Sequence, residues 1–301
     1  MSWRIITVSN PGKLSVENKQ LLYKPVEGEG IKVPIEDISV VLIETRQVIL
    51  TGALLSEFAE HGIVLFTCSE NHIPSGSFFP FHKHTRYSEI AFMQKEWAEP
   101  FKKRIWQEII KTKILNQAYV LKTTNNKNWQ TLENLILRVQ SGDTGNSESF
   151  AAHIYWESLF ENFTREKDDW RNSCLNYGYA IMRGVIARSI VGFGFLPCFG
   201  VNHASGLNAF NLADDLLEPF RPFVDLKVYK MFQTLELKDK ISLSVKTKQT
   251  LLQILTDDCL FDAQKTTTIN ACDGVASSLS SATREKDYKN LKLPNFLSNN
   301  A

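Results

Sequence analysis

Residues 51–67 read Thr51-Gly-Ala-Leu-Leu-Ser-Glu-Phe-Ala-Glu-His-Gly-Ile-Val-Leu-Phe-Thr67, and this stretch sets the fold of the first part of the chain. Leu54, Leu55 and Phe58 recur at helical spacing, which predicts a short helix with one apolar face. Gly62 is a typical helix stop, and the apolar, β-branched run that follows predicts a buried strand. The stretch therefore predicts a helix that leads directly into a sheet.

The residues before this stretch carry the pattern of further strands. Two runs, Lys13–Val16 and Gln20–Tyr23, flank a polar turn and predict a β-hairpin. Ile38–Glu44 is apolar enough for the interior of a sheet. We therefore expect residues 1–80 to form an N-terminal β-sheet domain with one short helix.

From Ser88 onward the apolar residues recur at helical spacing, and Pro219 and Pro222 are expected to break one of the later helices. The predicted class is α+β, with the β-domain joined by a flexible linker to a larger all-α C-terminal domain. The predicted limits are 81–90 for the linker, 91–285 for the helical domain and 286–301 for a partly disordered tail.

Composition excludes several classes of protein. The 301 residues carry a net charge of +1, so any nucleic-acid surface must be a local patch. No apolar run approaches the roughly 20 residues of a membrane span, and the N-terminus lacks the pattern of a signal peptide. The five cysteines are dispersed without a CxxC pair, which indicates reduced thiols and no structural zinc site. We expect a cytoplasmic protein without membrane contact.

Acidic residues and one histidine mark the candidate site. Asn146 or Ser147 is a good N-cap, so Glu148 falls in the first turn of the helix that follows, and His203 follows an apolar loop. Asp215 and Glu218 lie three residues apart on one helical face.

Each residue has an ordinary alternative. For Glu148 it is an acid stabilised by the helix dipole, and for His203 it is a structural histidine. For Asp215 and Glu218 it is a solvated acidic face of the helix, paired with Arg221. Together, however, Glu148, His203 and the Asp215–Glu218 pair offer the ligands that a hard divalent cation takes, and such a site suits chemistry on phosphodiesters.

Several motifs, taken in order, carry a resemblance to a known family. They are Val48-Ile-Leu-Thr-Gly-Ala-Leu-Leu, Gly62-Ile-Val-Leu-Phe-Thr-Cys-Ser, Asn146-Ser-Glu-Ser-Phe-Ala-Ala-His-Ile-Tyr-Trp, Asn176-Tyr-Gly-Tyr-Ala-Ile-Met-Arg, Gly200-Val-Asn-His-Ala and Asp215-Leu-Leu-Glu-Pro-Phe-Arg-Pro-Phe-Val-Asp225. Over nearly its whole length the chain resembles the first-numbered family of CRISPR-associated proteins, the integrase of the adaptation module. It looks closest to the variant found beside type II systems.

The resemblance implies site residues and a cofactor. It makes Glu148, His203 and Glu218 both the catalytic residues and the ligands of Mg²⁺ or Mn²⁺. Asp215 becomes a supporting residue, either behind a ligand or as an alternative ligand, and Arg221 becomes a nucleic-acid contact. The reaction that it implies is attack of a DNA 3′-hydroxyl on a phosphodiester, which inserts short foreign DNA (spacers) into a CRISPR array.

The resemblance also implies partners. They are DNA with free 3′-hydroxyl ends and the repeat target, a second copy of this chain in a homodimer, and the small ferredoxin-like second-numbered Cas protein in a heterohexamer. Other adaptation or effector proteins could join these.

Two other functions stay open on the sequence. One is a metal-dependent nuclease acting on branched DNA in repair, and the other is a non-catalytic helical scaffold.

Basic residues on the first long helix, namely Lys102, Lys103, Arg104, Lys111 and Lys113, are predicted to contact DNA phosphates.

Overall fold

The computed structural model describes residues 4–70, 74–78, 87–234 and 243–297. The chain divides into two compact units, Met1–Tyr87 and Ser88–Ala301. The first is mainly β-structure and the second mainly helical, which confirms the predicted α+β class. The finer domain limits and the flexibility of the linker stay predictions. Residues 81–86 of that linker lie outside the described residues, and residues 87–90 already belong to a helix.

The first unit contains two four-stranded sheets, where the sequence predicted one small sheet. Their strand orders are β1-β5-β7-β8 and β4-β3-β2-β6. The elements are β1 Arg4–Val8, β2 Gly12–Glu17, β3 Gln20–Pro25, β4 Ile31–Pro34, β5 Ile38–Ile43, β6 Val48–Leu50, helix α1 Gly52–His61, β7 Val64–Cys68 and β8 Pro74–Phe78.

Local sequence explains the hairpin and the helix of this unit. Asn18 and Lys19 both have positive φ angles, 50° and 58°, as a tight two-residue turn between β2 and β3 requires. Helix α1 begins after Thr51, whose side chain accepts a hydrogen bond from the Leu54 N–H. It ends at Gly62, whose φ of 68° is left-handed. The hairpin, the helix and its stop at Gly62 are the features that the sequence predicted.

The second unit is built around two long, largely buried helices, α3 and α6. A Cβ at Gly178 would lie 2.5 Å from Val224 Cγ1, so the glycine allows α6 and α8 to pack closely. The helices are α2 Tyr87–Lys95, α3 Glu99–Thr123, α4 Trp129–Ile136, α5 Ser147–Leu159, α6 Trp170–Gly192, α7 Asn211–Leu217, α8 Arg221–Thr234, α9 Val245–Leu252 and α10 Thr268–Glu285. Short 3₁₀ turns occupy Ser141–Asp143, Glu218–Phe220, Gln253–Thr256 and Tyr288–Asn290.

The second unit also contains a β-hairpin, so the prediction of an all-α domain is wrong at this point. Strands β9 Asp258–Phe261 and β10 Gln264–Thr267 pair in antiparallel register. Asp262 and Ala263 form the turn, with φ angles of 47° and 61°. An Asp-Ala turn lacks the glycine that usually marks such a hairpin in a sequence.

Helix α10 was not predicted, because its sequence is rich in serine and threonine, which have low helix propensity. Its buried residues nevertheless recur at helical spacing, and it packs against α6. Tertiary packing therefore outweighs local propensity here.

The tail differs from the partly disordered segment predicted for residues 286–301. The ring of Phe296 stacks on Tyr119 at 4.5 Å and on Phe223 at 4.0 Å between centroids. Asn295 pairs with Leu260 of β9 through two backbone hydrogen bonds. Aromatic burial thus orders the tail as far as residue 297, and residues 298–301 lie outside the described part of the chain.

In the described ranges of the chain, every helix is too short or too polar to cross a lipid bilayer.

Candidate functional site

Glu148 is fixed by the start of α5. Asn146 occupies the N-cap position with a left-handed φ of 52°, but its side chain makes no capping hydrogen bond. The cap is supplied instead by Asp143, whose two carboxylate oxygens accept from the Ser147 and Glu148 N–H groups at 2.9 Å each. Glu148 therefore lies in the first helical turn, as predicted, although the capping residue is a different one.

Glu218 is fixed by a break between two helices. Pro219 lacks an N–H group, so α7 ends before it and a 3₁₀ turn leads into α8. The Asn116 side chain of α3 donates to the Pro219 carbonyl at 2.9 Å and holds this turn against the long helix. The break that the sequence predicted at the prolines is thus confirmed, and it carries a buried carboxylate into the interior.

Lys113 of α3 lies between the two glutamates. Its Nζ is 2.6 Å from Glu148 Oε1 and 2.5 Å from Glu218 Oε2, and Arg221 Nε donates to Glu218 Oε1 at 2.8 Å. Burial by itself would raise the pKa of Glu218, but the charges of Lys113 and Arg221 outweigh it and lower the pKa from 4.5 to about 2. The glutamate is therefore ionised at neutral pH.

The ammonium of Lys113 is stabilised by the same contacts. Burial opposes its charge, but the carboxylates of Glu218 and Glu148 outweigh this effect and raise the Lys113 pKa. Lys113 was predicted to contact DNA phosphates together with its basic neighbours on this helix, but its side chain is only 9% exposed and is paired with the two glutamates. A lysine among the buried isoleucines of α3 was the signal in the sequence that it has an internal partner.

His203 is positioned by Asp215. One oxygen of the fully buried Asp215 accepts from the Val201 N–H at 2.5 Å and the Asn202 N–H at 3.1 Å. The other accepts from the His203 N–H at 3.1 Å and bonds the His203 Nδ1 at 2.6 Å. This side-chain hydrogen bond is the main reason that the pKa of His203 is raised. It directs the other ring nitrogen, Nε2, away from Asp215.

Two neighbours complete the surroundings of His203. The Trp106 ring of α3 meets the imidazole edge to face at 5.9 Å between centroids. Gly200 is packed so tightly that a Cβ there would lie 2.2 Å from the His203 carbonyl oxygen and 2.7 Å from Asp215 Oδ2. Only glycine fits the backbone at this point, so the loop depends on Gly200 for its shape.

A cavity of about 430 Å³ opens beside His203. Lys95 and Lys102 contribute positive charge to its lining, and Trp97 and Phe199 contribute aromatic surface. This composition suits a polyanionic ligand with aromatic groups.

A second buried network lies behind Arg221. Its guanidinium stacks over the Tyr179 ring at 4.6 Å, and the hydroxyls of Tyr179 and Tyr155 both donate to the Asp225 carboxylate. Burial is the main cause that raises the pKa of Asp225 from 3.8 to about 7. No local pattern in the sequence predicts this network, because its members lie on three different helices.

The structure brings together some of the predicted ligands and separates others. Glu148 and Glu218 converge on Lys113, whereas His203 is bound to Asp215. Over residues 4–70, 74–78, 87–234 and 243–297, no three His, Cys, Asp or Glu side chains are gathered closely enough to hold a metal ion. Asp215 is engaged with the His203 loop rather than directed to the glutamates.

The donor set nevertheless fits a hard divalent cation. The two carboxylate oxygens that contact Lys113 Nζ can be no more than about 5 Å apart. Glu218 Oε2 is buried and forms an ion pair with Lys113. A carboxylate pair of this kind can exchange one cation for another.

Known proteins match this chain over nearly its whole length. The family model described as "CRISPR associated protein Cas1" matches residues 6–256. The chain is 42% identical over 299 residues to the CRISPR-associated endonuclease Cas1 of Neisseria meningitidis serogroup C (strain 8013), covering 99% of this chain and 97% of that protein.

Solved structures share the fold. A casposase bound to its integration product superposes with a TM-score of 0.77 at 17% identity, covering 95% of this chain and 91% of the other. A Cas6-RT-Cas1–Cas2 complex superposes with a TM-score of 0.74 at 17% identity, covering 98% of this chain and 36% of the other. The predicted family is confirmed: the chain belongs to the Cas1 family of CRISPR-associated proteins.

Proposed function

We propose that this chain is a metal-dependent DNA endonuclease and integrase that inserts short foreign DNA into a CRISPR array. In this reaction the 3′-hydroxyl of one DNA strand attacks a phosphodiester of another, and the broken bond leaves a new 3′-hydroxyl. The observation that carries the proposal is the convergence of Glu148 and Glu218 on one buried cationic position. A buried carboxylate such as that of Glu218 is costly without a cation beside it.

Glu148, Glu218 and the Nε2 of His203 are the residues that would hold Mg²⁺ or Mn²⁺. When bound, such an ion lowers the pKa of a coordinated hydroxyl and neutralises charge on a phosphate. Asp215 holds the His203 ring in the tautomer that presents Nε2, as partners behind metal ligands commonly do. It is thus a positioning residue rather than a direct ligand.

Lys113 and Arg221 supply positive charge around the carboxylates. Among the described residues Arg221 uses its Nε for Glu218, so its terminal amino groups remain available for a phosphate. Lys113 would be displaced from the carboxylates when a divalent ion binds them, and its ammonium would then also lie within reach of a phosphate.

The names of related proteins support the partners in this proposal. The neisserial relative is called an endonuclease, the casposase is bound to an integration product, and another structure is a complex with Cas2. We propose that this chain likewise acts on DNA, as a homodimer, in a heterohexamer with Cas2. We also propose that other adaptation or effector proteins join this assembly.

A metal-dependent nuclease on branched DNA is the second candidate, since water can take the place of the 3′-hydroxyl at the same site. A non-catalytic scaffold is the less favoured reading, because a scaffold has no need of two carboxylates that converge on one buried cation. Strand transfer with and without Cas2 distinguishes the first two candidates.

The test replaces the two carboxylates one at a time. Glu148→Gln and Glu218→Gln keep the side-chain shape and remove the charge, and Glu157→Gln on the exposed side of α5 is the matched control. Because electrostatic groups at phosphoryl-transfer sites contribute at least about 100-fold, we expect each of the first two to lose strand transfer by at least that factor in Mg²⁺. Full strand transfer by either variant would refute the proposal, and DNA hydrolysis without joining would favour the repair nuclease.

A further inference from the structure

Gln94 of α2 places its side-chain amide in the interior of the helical unit, against the loop that leads to His203. The residue is only 2% exposed. Its Nε2 donates to the Leu196 carbonyl at 2.9 Å and to the Phe199 carbonyl at 2.7 Å, and its Oε1 accepts from the Leu196 N–H at 2.8 Å. Both donor hydrogens and the acceptor of this amide are therefore used on backbone that lies 102 and 105 residues further along the chain.

The loop that Gln94 binds has no regular structure of its own. The structure describes this loop completely, and over residues 193–210, between α6 and α7, it contains no helix or strand. Pro197 has no N–H group to donate, and Gly194 has a left-handed φ of 89°. Since no helix or sheet pairs its backbone groups, the shape of the loop depends on side chains that bind them.

Three buried side chains bind the backbone of this loop, and they divide it between them. Asp215 accepts from the N–H groups of residues 201–203. Asn211 donates to the carbonyls of Cys198, Ser205 and Asn208. Both of these residues belong to α7, which directly follows the loop, whereas Gln94 reaches the beginning of the loop from a separate helix.

The backbone between the parts bound by Gln94 and by Asp215 has no room to move. Phe199, whose carbonyl Gln94 binds, is followed by Gly200. A Cβ at Gly200 would lie 2.2 Å from the His203 carbonyl oxygen and 2.7 Å from Asp215 Oδ2. In such close packing a displacement at Phe199 is passed on to His203 rather than absorbed.

We propose that Gln94 is a positioning residue for the His203 imidazole that would hold the metal ion. It acts through the loop backbone, which Gln94 fixes at Leu196 and Phe199 and Asp215 fixes at His203 itself. Without Gln94, two carbonyls and one N–H group lose their partner, and the loop shifts to reach water. This inference rests on the proposed function and adds α2 to the elements that determine metal affinity.

The test compares Gln94→Met, which keeps the length of the side chain and removes its hydrogen bonds, with Asn172→Leu. Asn172 is a matched control, because it is 4% exposed and its amide also donates to two backbone carbonyls, those of Thr164 and Lys167, but in the loop between α5 and α6. Both substitutions leave buried carbonyls unpaired, so both should lower Tm. Only Gln94→Met should weaken Mn²⁺ binding in calorimetry, by about ten-fold, as loss of a partner behind a metal ligand does.

A His203→Ala background separates positioning of the imidazole from a general loosening of the domain. If Gln94 acts through the imidazole, Gln94→Met should cost no further Mn²⁺ affinity once His203 is alanine. An equal loss of affinity in both backgrounds would overturn the inference, because Gln94 would then act on the site as a whole.

A measurement on the unaltered chain tests the inference even if Gln94→Met does not fold. By thermodynamic linkage, a contact that strengthens metal binding is itself strengthened when the metal binds. Mn²⁺ should therefore slow hydrogen exchange of the Leu196 N–H, which donates to Gln94, and leave exchange in the Asn172-bound loop unchanged.

Two further results would contradict the role of Gln94. They are unchanged exchange at Leu196 when Mn²⁺ is bound, and equal Mn²⁺ affinities of the Gln94→Met and Asn172→Leu variants. Wild-type protein that binds no Mn²⁺ at all would instead refute the metal site of the proposed function.

Discussion

Replacing Lys113 by methionine removes the positive charge that lies between Glu148 and Glu218. Removing one partner of a buried ion pair typically costs about 3–5 kcal/mol. The low end applies here, because Arg221 still pairs with Glu218 and Glu148 is 31% exposed to water. We therefore expect Lys113→Met to lower the free energy of unfolding by about 3 kcal/mol in the presence of EDTA. For a unit of this size that is a fall of about 6–12 °C in Tm.

A divalent ion should reverse this loss. In the variant the two carboxylates have no lysine to compete for them, so Mg²⁺ or Mn²⁺ should raise its Tm more than that of the wild type. The assay is thermal unfolding followed by circular dichroism, with metal titrated after EDTA, and calorimetry gives the metal affinity directly. Neither readout depends on enzymatic activity.

Lys111→Met is the matched control. Lys111 lies on the same helix and forms an ion pair with Glu108, but both side chains are about one third exposed. Its loss should cost less than about 0.5 kcal/mol and should not alter the response to metal. Equal stabilities of the two variants in EDTA, or equal stabilisation of both by metal, would refute the reasoning about Lys113.

Three further predictions concern the groups around the carboxylates. Gly200→Ala should lower both Tm and strand transfer, because the added Cβ would lie 2.2 Å from the His203 carbonyl oxygen. Gly206→Ala in the same loop is the control: its Cβ would meet nothing within 4 Å, so Tm and strand transfer should stay unchanged. Asp215→Asn should weaken metal binding by about 10–100-fold in calorimetry, because the imidazole loses the acceptor that orients it. Because folding raises the Asp225 pKa from 3.8 to about 7, the stability that its protonated form contributes is complete below about pH 4 and lost as pH rises to about 7. In urea unfolding, the free energy of unfolding of the wild type should therefore fall by up to about 4 kcal/mol relative to that of Asp225→Asn between about pH 4 and pH 7, and no further above pH 7. A difference between the two proteins that stays constant with pH would contradict the raised pKa of Asp225.

Much of the fold could be predicted from the sequence, because the residues that determine it lie next to one another in the chain. The hairpin turn at Asn18 and Lys19, the helix stop at Gly62 and the break at Pro219 each depend on a backbone preference of one or two residues. The hairpin at residues 258–267 and helix α10 have no such signal, and only packing against the rest of the domain stabilises them.

The candidate site could be predicted only in part, because its contacts join residues that are distant in the sequence. Asp215 and Glu218 were expected to share a helical face, which suggested that both could approach one ion. The helix changes to a 3₁₀ turn at Glu218, so Asp215 bonds the His203 loop while Glu218 meets Lys113. Spacing along the chain could not identify Lys113, which lies 35 residues from Glu148.

The Asn116 side chain has a consequence for the order in which the domain folds. It donates to the Pro219 carbonyl beside Glu218 and to the Pro294 carbonyl in the tail, across 103 and 178 residues of chain. Contacts between such distant residues have a high entropic cost and form late in folding. The turn that carries Glu218 is therefore completed only when α3 and the tail have come together. A partly folded chain lacks the assembled carboxylate pair, so under the proposed function we expect it to be unable to cut or join DNA until the domain is whole.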